Sequence, residues 1–127
     1  MKKETKVWLE LAKEDYVDMK IMKKEKRLRG AVLFAQQAVE KILKAYIAEY
    51  MSRTPIRTHY IEKLVSDAKL DLKEINNPEV ELLSAAYTWV RYADLSNARL
   101  KNPKEVERLI VMGEKVYLWV KTKFKNN

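Results

Sequence analysis

The stretch AQQAVEKILKAY, residues 35–46, places an apolar helical stripe beside charged and amide side chains. Apolar residues in and around it recur at three- and four-residue spacing, which collects them on one face of an α-helix: Val32, Ala35, Val39, Ile42, Leu43, Tyr46 and Tyr50. We expect this face to enter a core. Gln37, Lys41 and Lys44 fall on a neighbouring face. Gln36 and Glu40 lie near the boundary between the two faces, where polar side chains can be held for function.

The whole chain has the size and composition of one helical domain. It has 127 residues, 47% of them hydrophobic, with only two glycines and three prolines. A chain of this length normally forms one core, so we expect a single domain over residues 1–127. Ala, Leu, Lys and Glu favour long helices over strands.

Several classes of protein are excluded by what the sequence lacks. It has no cysteine and one histidine, His59, which excludes a disulfide and a zinc site made of sulfur and imidazole ligands. We therefore predict no metal and no other cofactor. No run approaches the roughly 18 apolar residues of a membrane span, and the first residues do not resemble a signal peptide. We expect a cytoplasmic protein.

The formal net charge is +8, and an excess of this kind attracts polyanions. Six basic residues cluster against the single acid Glu25 at the first predicted turn: Lys20, Lys23, Lys24, Lys26, Arg27 and Arg29. One interpretation is that they complement the negative end of a helix and keep the domain soluble. The other is a surface for nucleic acid or an acidic partner.

Periodicity and punctuation predict five helices. They cover residues of about 4–25, 31–51, 59–69, 78–90 and 103–124, with Asn77 and Asn102 as N-caps before prolines and an irregular loop between residues 69 and 77. Gly113 in the last helix can let another helix approach closely. Four long helices and one short one imply an all-α fold, an antiparallel up-and-down four-helix bundle with one additional short helix across one end.

Two sets of residues in these helices need special environments. Asp15 lies on the apolar stripe of the first helix, and a buried carboxylate needs a cation, for which Lys41 and Arg91 are the candidates. The large aromatic residues at helical spacing are assigned to the core or to a dimer seam: Tyr87, Trp89, Tyr117 and Trp119.

The best candidate site is the segment WVRYADLSN, residues 89–97, where the fourth predicted helix ends in a polar, flexible stretch. The planar donor fork of Arg91 can engage two phosphate oxygens at once, and Tyr92 can stack or donate. Asp94 and Asn97 complete the polar set. The alternative is that Arg91 pairs with Asp94, Asp15 or Glu40 and locks one end of the bundle.

In their order along the chain, these segments resemble the HEPN family. The resemblance rests on residues 36–46, on Thr58-His59-Tyr60 before a short helix, and on Tyr87 with Arg91-Tyr92. It also includes the first helix around residues 8–15 and a last helix after Pro103, so it spans nearly the whole chain.

The resemblance implies a helical homodimer, often encoded beside a minimal nucleotidyltransferase in a toxin–antitoxin pair. Many members are metal-independent ribonucleases, in which an arginine followed a few residues later by a histidine activates a ribose 2′-hydroxyl at the dimer interface. Arg91 matches the arginine. Ser96, Asn97 and Ala98 occupy the places permitted to the histidine.

Because neither an amide nor a hydroxyl exchanges protons near neutral pH as imidazole does, the missing histidine disfavours catalysis. Nucleotide or phosphate binding is assigned to a set around Arg91: Arg91, Tyr92, Asp94, Asn97, Lys41 and Lys44. A second set is assigned to structural polar pairing: Asp15, Gln36, Glu40 and His59. The alternative for His59 is that it substitutes for the missing histidine as a catalytic base.

Three functions follow from this pattern. The first is a homodimer that binds a nucleotide or RNA and acts with a nucleotidyltransferase partner. The second is a ribonuclease toxin in which another group replaces the histidine. The third is a helical interaction module whose basic turn docks an acidic partner. The first needs no proton transfer and is preferred.

Overall fold

The structure, a computed structural model, describes residues 1–125. Six α-helices make up this part of the chain, with no strand among them: α1 (Lys3–Lys24), α2 (Leu28–Tyr50), α3 (Ile61–Asp67), α4 (Val80–Trp89), α5 (Ala93–Leu100) and α6 (Pro103–Lys121). One 3₁₀ turn, Leu72–Ile75, lies in the connection between α3 and α4. The all-helical prediction is confirmed. The antiparallel four-helix arrangement remains a prediction.

Helix α2 is the central element, packed between α1 and α6. Val32, Ala35, Val39, Ile42 and Leu43 of the predicted stripe are fully buried or nearly so. Tyr46 and Tyr50 are only half-buried, and the Tyr50 ring packs 5.7 Å from that of Phe124. Because helices cover α2 on more than one side, residues outside the stripe are buried as well: Ala31, Ala38, Ala45, Ile47 and Ala48.

The structure corrects the boundaries of the shorter elements. Tyr60 is the N-cap of α3, so this helix begins at Ile61 rather than at residue 59, and Glu79 is the N-cap of α4. Asn77 has a φ of 47°, so it forms the turn before α4 rather than capping it. The second half of the polar segment predicted after α4 belongs to a helix that the sequence does not predict, α5. Asp94 in its first turn complements the positive N-terminus of this helix.

Helix α5 is also fixed by a tertiary contact. Its buried Ser96 accepts a hydrogen bond of 3.1 Å through Oγ from Nε of Arg29 at the start of α2. The described chain thus has six helices where the sequence predicts five.

The close approach predicted at Gly113 is present between α6 and α2. A Cβ atom at this position would lie 2.8 Å from the Cβ atom of Ala35, well inside van der Waals contact. Glu114, the next residue, joins α6 to α1 through Lys20 at 3.1 Å and Lys23 at 2.6 Å. With Arg29, which bonds to Ser96, three members of the basic cluster therefore help to hold the fold together.

Within residues 1–125, no helix combines the length and the apolar character needed to cross a bilayer.

Candidate functional site

Tyr87 on α4 is the centre of the candidate site. Its half-buried ring stacks on the imidazole of His59, with ring centres 3.5 Å apart and planes inclined by 14°. The guanidinium carbon of Arg91 lies 3.8 Å from the centre of the same ring. Both distances require the group to lie over a face of the ring. One face cannot hold both groups, so the imidazole and the guanidinium lie on opposite faces of Tyr87.

Arg91 lies in the turn just beyond α4, where its backbone N–H donates to the Thr88 carbonyl oxygen at 3.2 Å, and its side chain reaches the ring of Tyr87, four residues earlier. Its guanidinium also donates a hydrogen bond to the Tyr87 carbonyl oxygen. Arg91 is exposed, and in the described part of the chain no carboxylate lies within ion-pair distance of it. It therefore does not pair with Asp94, Asp15 or Glu40.

On the other side of the stack, His59 is held by a buried carboxylate. Nδ1 of His59 lies 2.9 Å from Oε1 of Glu40. The same oxygen accepts a hydrogen bond of 3.0 Å from Nε2 of Gln36. Nζ of Lys44 donates to the other oxygen at 2.9 Å. Glu40 is only 7% exposed, and both of its oxygens are occupied by donors.

The charge state of Glu40 follows from these contacts. Burial by itself would raise the pKa of Glu40, but the hydrogen bonds from His59, Lys44 and Gln36, with the charge of Lys44, outweigh burial and hold the pKa below its ordinary value. The group is therefore an ionised carboxylate at neutral pH.

An ionised carboxylate can only accept hydrogen bonds, so Nδ1 of His59 must carry the proton. In the neutral imidazole, Nε2 is then the nitrogen with a free lone pair. The His59 side chain is 48% exposed, which leaves this ring open to solvent on one side. The site thus combines a positioned proton acceptor and a cation, separated by one aromatic ring.

The two predicted lysines are paired with carboxylates inside the chain. Nζ of Lys41 lies 2.5 Å from Oδ2 of Asp15, so Lys41 supplies the cation that Asp15 needs. Lys44 is buried between Glu40 and the Trp8 ring, whose centre lies 5.4 Å from Nζ. Both ammonium groups are therefore committed to partners inside the chain.

Tyr92, Asp94 and Asn97 follow Arg91 and are all exposed. Tyr92 is the N-cap residue of α5, and the other two lie on that helix. No hydrogen bond joins any of their side chains to Arg91 within residues 1–125. They form an open polar surface beside the guanidinium.

Sequence reasoning assigns Tyr87 to packing and His59 to structural pairing. The spacing of Tyr87 and Arg91 is a local signal that could have linked those two. No local signal links His59 to them, because the contact depends on how the connection between α2 and α3 lies against α4. Trp89, Tyr117 and Trp119 are buried, as expected for core aromatics.

Two further features lie apart from the stack, a basic surface and a cleft that is lined by two arginines and two glutamates. Lys24, Lys26 and Arg27 of the basic cluster are exposed and have no ion pair in the described chain. A cleft of about 580 Å³ between α4, α5 and α6 is lined in part by Leu82, Trp89, Arg99, Arg108 and Met112. Arg91 does not line this cleft, so cavity and stack are separate features.

The sequence of this chain is similar to one family of known proteins. A family model described as HEPN domain matches residues 5–123. No curated protein and no solved structure matches the chain. Among residues 1–125, no group of three or more His, Cys, Asp or Glu side chains is arranged to hold a metal ion.

Proposed function

The chain belongs to the HEPN domain family, and from this we propose that it binds a nucleotide or RNA through a phosphate held at Arg91. The single observation that carries the proposal is the state of this guanidinium. It is exposed, fixed against the Tyr87 ring, and without a carboxylate partner in residues 1–125.

A guanidinium in this state suits phosphate. Its planar fork can donate to two phosphate oxygens at once, and charge-assisted hydrogen bonds of this kind are the stronger ones. The Tyr87 ring and carbonyl already restrict the side chain, so less conformational entropy is lost on binding. The net charge of +8 adds a sequence-independent attraction for polyanions.

The exposed residues after Arg91 provide the remaining contacts in this proposal. The Tyr92 ring can stack on a base, and the Asn97 amide can donate to a sugar or phosphate oxygen. The Asp94 carboxylate repels phosphate but can accept a hydrogen bond from a ribose hydroxyl, which is the contact we assign to it. Lys41 and Lys44 take no part, because both ammonium groups are paired with carboxylates of the chain.

We also propose that two copies associate, with both Arg91 side chains at a shared cleft and each copy an antiparallel four-helix bundle. Trp89 and Trp119 do not support this association, since both are buried within one chain. Support comes instead from two apolar side chains that follow Arg91 closely in the chain and remain about half exposed, Tyr92 and Leu95. A minimal nucleotidyltransferase partner and a toxin–antitoxin role belong to the proposal on family grounds alone.

Titration of a fluorescein-labelled single-stranded RNA 20-mer tests the binding. Arg91→Ala should weaken the affinity by about tenfold or more, since a charged hydrogen-bond donor is lost. Arg91→Lys should recover only part of it, because the fork is lost. Arg108→Ala, which removes the same charge from the separate cleft, should have little effect. Equal losses for Arg91→Ala and Arg108→Ala, or no RNA binding at low salt, would overturn the proposal.

A further inference from the structure

We infer that the cleft between α4, α5 and α6 binds a small zwitterion with an apolar side chain, namely a free amino acid of the aromatic or large aliphatic kind. This second site goes beyond the proposed function and does not depend on it, because Arg91 does not line the cleft. The size of the cleft, its apolar lining and its exposed charges each support the assignment.

The cleft has the size and the lining of a small-molecule site. Its volume of about 580 Å³ falls within the range of roughly 300–1,000 Å³ that is typical of such sites. Leu82 on α4 is 46% exposed, and Leu109 and Met112 on α6 are half-buried. All three line the cleft together with the buried Trp89 and Val106. An apolar group of a ligand can therefore leave water there, which favours binding.

One buried donor in this lining has no partner. Trp89 is only 3% exposed, and its Nε1 makes no hydrogen bond within residues 1–125. Buried polar groups are normally paired, and an unpaired one is destabilising. A ligand that brings an acceptor into the cleft can supply the missing partner of the indole N–H.

The cleft also carries exposed charges of both signs. Glu79 is the N-cap of α4, and Arg99 lies in the last turn of α5. Glu105 and Arg108 lie in the first two turns of α6. All four side chains are exposed and line the cleft. In the part of the chain that the structure describes, none of them forms an ion pair. Their charges are therefore available to a ligand.

The balance of these charges selects the class of ligand. Two guanidinium groups and two carboxylates cancel, so the cleft as a whole does not attract a polyanion such as RNA. A simple carboxylate would be attracted by the arginines and repelled by the glutamates, and the reverse holds for a simple amine. A zwitterion complements both signs at once.

An amino acid with an apolar side chain provides every group that the cleft can use. Its carboxylate can accept charge-assisted hydrogen bonds from Arg99 and Arg108. Since a carboxylate has about four acceptor positions, one of them remains for the N–H of Trp89. The ammonium group can donate to Glu79 and Glu105, and the apolar side chain can pack on the apolar lining.

NMR titration of the isotope-labelled full chain with L-phenylalanine tests the site. The chain has three tryptophans, and the loss of one indole N–H signal in Trp89→Phe identifies the signal of Trp89. That signal should shift saturably, with a Kd below about 1 mM, while the other two indole signals stay in place. No saturable shift of the Trp89 signal at millimolar L-phenylalanine would overturn the inference and leave the proposed function at Arg91 standing.

Three analogues test which groups of the ligand are recognised. Phenethylamine lacks the carboxylate and 3-phenylpropanoate lacks the ammonium, so each should bind about tenfold more weakly or worse, as expected when a charged hydrogen-bonding group is removed. Glycine keeps both charges without the apolar side chain and should also bind more weakly. An analogue with one charge that binds as tightly as L-phenylalanine would overturn the assignment of a zwitterion.

Variants test which residues of the cleft bind the ligand. Arg99→Gln/Arg108→Gln and Glu79→Gln/Glu105→Gln should each weaken L-phenylalanine binding by about tenfold or more. All four residues are exposed, so these changes should leave the fold intact, which the positions of the Trp8 and Trp119 indole signals check. Lys104→Gln removes a neighbouring exposed charge that does not line the cleft, and it should bind like the wild type. Equal losses in Lys104→Gln and in the cleft variants would overturn the inference.

Discussion

Oε1 of the buried Glu40 lies 2.9 Å from Nδ1 of the exposed His59. A carboxylate in the core therefore fixes the orientation and tautomer of an imidazole at the surface. Stability and site chemistry share this contact, because Lys44 and Gln36 bind the same carboxylate from the central helix. The predictions below separate these two contributions.

Glu40→Gln should destabilise the protein by about 3–5 kcal/mol, because it leaves the buried Lys44 ammonium without its counter-charge. Urea denaturation at pH 7 measures the loss. The double variant Glu40→Gln/Lys44→Met removes both charges and should recover part of the stability. A single variant within about 0.5 kcal/mol of the wild type would show that the pair contributes little.

Acid should weaken the fold through Glu40 and Glu114. Burial would raise the pKa of Glu114, but hydrogen bonds from Lys23 and Lys20 lower it below the ordinary value, as the contacts of Glu40 do for that group. For each of these carboxyl groups there is a pH range between its folded-state pKa and its higher unfolded-state pKa. In that range the unfolded chain binds the proton and the folded chain does not. This stabilisation is present above about pH 4.5 and is lost as the pH falls through the folded-state pKa.

Unfolding free energies measured between pH 7 and pH 3 test this dependence. Glu114→Gln should flatten the dependence of stability on pH in acid, since one of the groups with a lowered pKa is removed. An unchanged slope in this variant would contradict the assignment of Glu114.

Gly113→Ala should destabilise the protein by about 1–3 kcal/mol, because the new methyl would meet the Ala35 Cβ atom at 2.8 Å and neither side chain can rotate away. Gly30→Ala is the matched control within a helix. Its methyl would meet the flexible end of Met22 at 3.0 Å, and alanine is the better helix former by about 1 kcal/mol. In thermal denaturation, the Tm of Gly113→Ala should therefore be well below the Tm of Gly30→Ala.

Tyr87→Phe should bind RNA like the wild type, because both stacking contacts use the ring. Tyr87→Leu removes the aromatic face under Arg91 and should weaken binding by about two- to fivefold, which corresponds to an exposed cation–π contact of about 0.5–1 kcal/mol. Fluorescence titration distinguishes the two variants. Equal RNA affinities for the Tyr87→Phe and Tyr87→Leu variants would show that the aromatic ring does not hold the guanidinium of Arg91 in place.

Lys41→Met should leave RNA affinity nearly unchanged, in contrast to Arg91→Ala. Its ammonium lies 2.5 Å from Asp15 and is already neutralised within the chain. The variant should still lose stability, because Asp15 is buried. A tenfold loss of affinity at unchanged stability would place Lys41 in the binding surface instead.

Much of the fold follows from local pattern. The stripe from Val32 to Leu43 identifies the core face of α2, because apolar spacing determines which face of a helix is buried. The burial of Lys44 does not follow, since it depends on α1 bringing Trp8 over that side chain. Helix α5 is missed because it is short, half of its eight residues are polar, and one of its anchors, Ser96, bonds to Arg29 in a distant segment.

In the candidate site too, contacts between residues close in the chain can be predicted from the sequence, and contacts between distant segments cannot. The contact between Arg91 and Tyr87 is local, because only four residues separate them across the end of α4. The stacking of His59 on Tyr87 cannot, because it arises when the segment after α2 folds back against α4. Sequence reasoning therefore finds the cation of the site and names His59 as a polar partner of Glu40 and Gln36, but it does not place the imidazole on the ring of Tyr87.

The stack of His59 on Tyr87 also provides a spectroscopic reporter. His59 is the single histidine of the chain, so its imidazole protons give NMR signals that need no assignment. The circulating π electrons of the tyrosine shield protons held 3.5 Å above its face and shift these signals upfield. Since the two rings belong to separate segments, the shift disappears when those segments part. One pair of peaks can thus follow both tertiary unfolding and the entry of RNA.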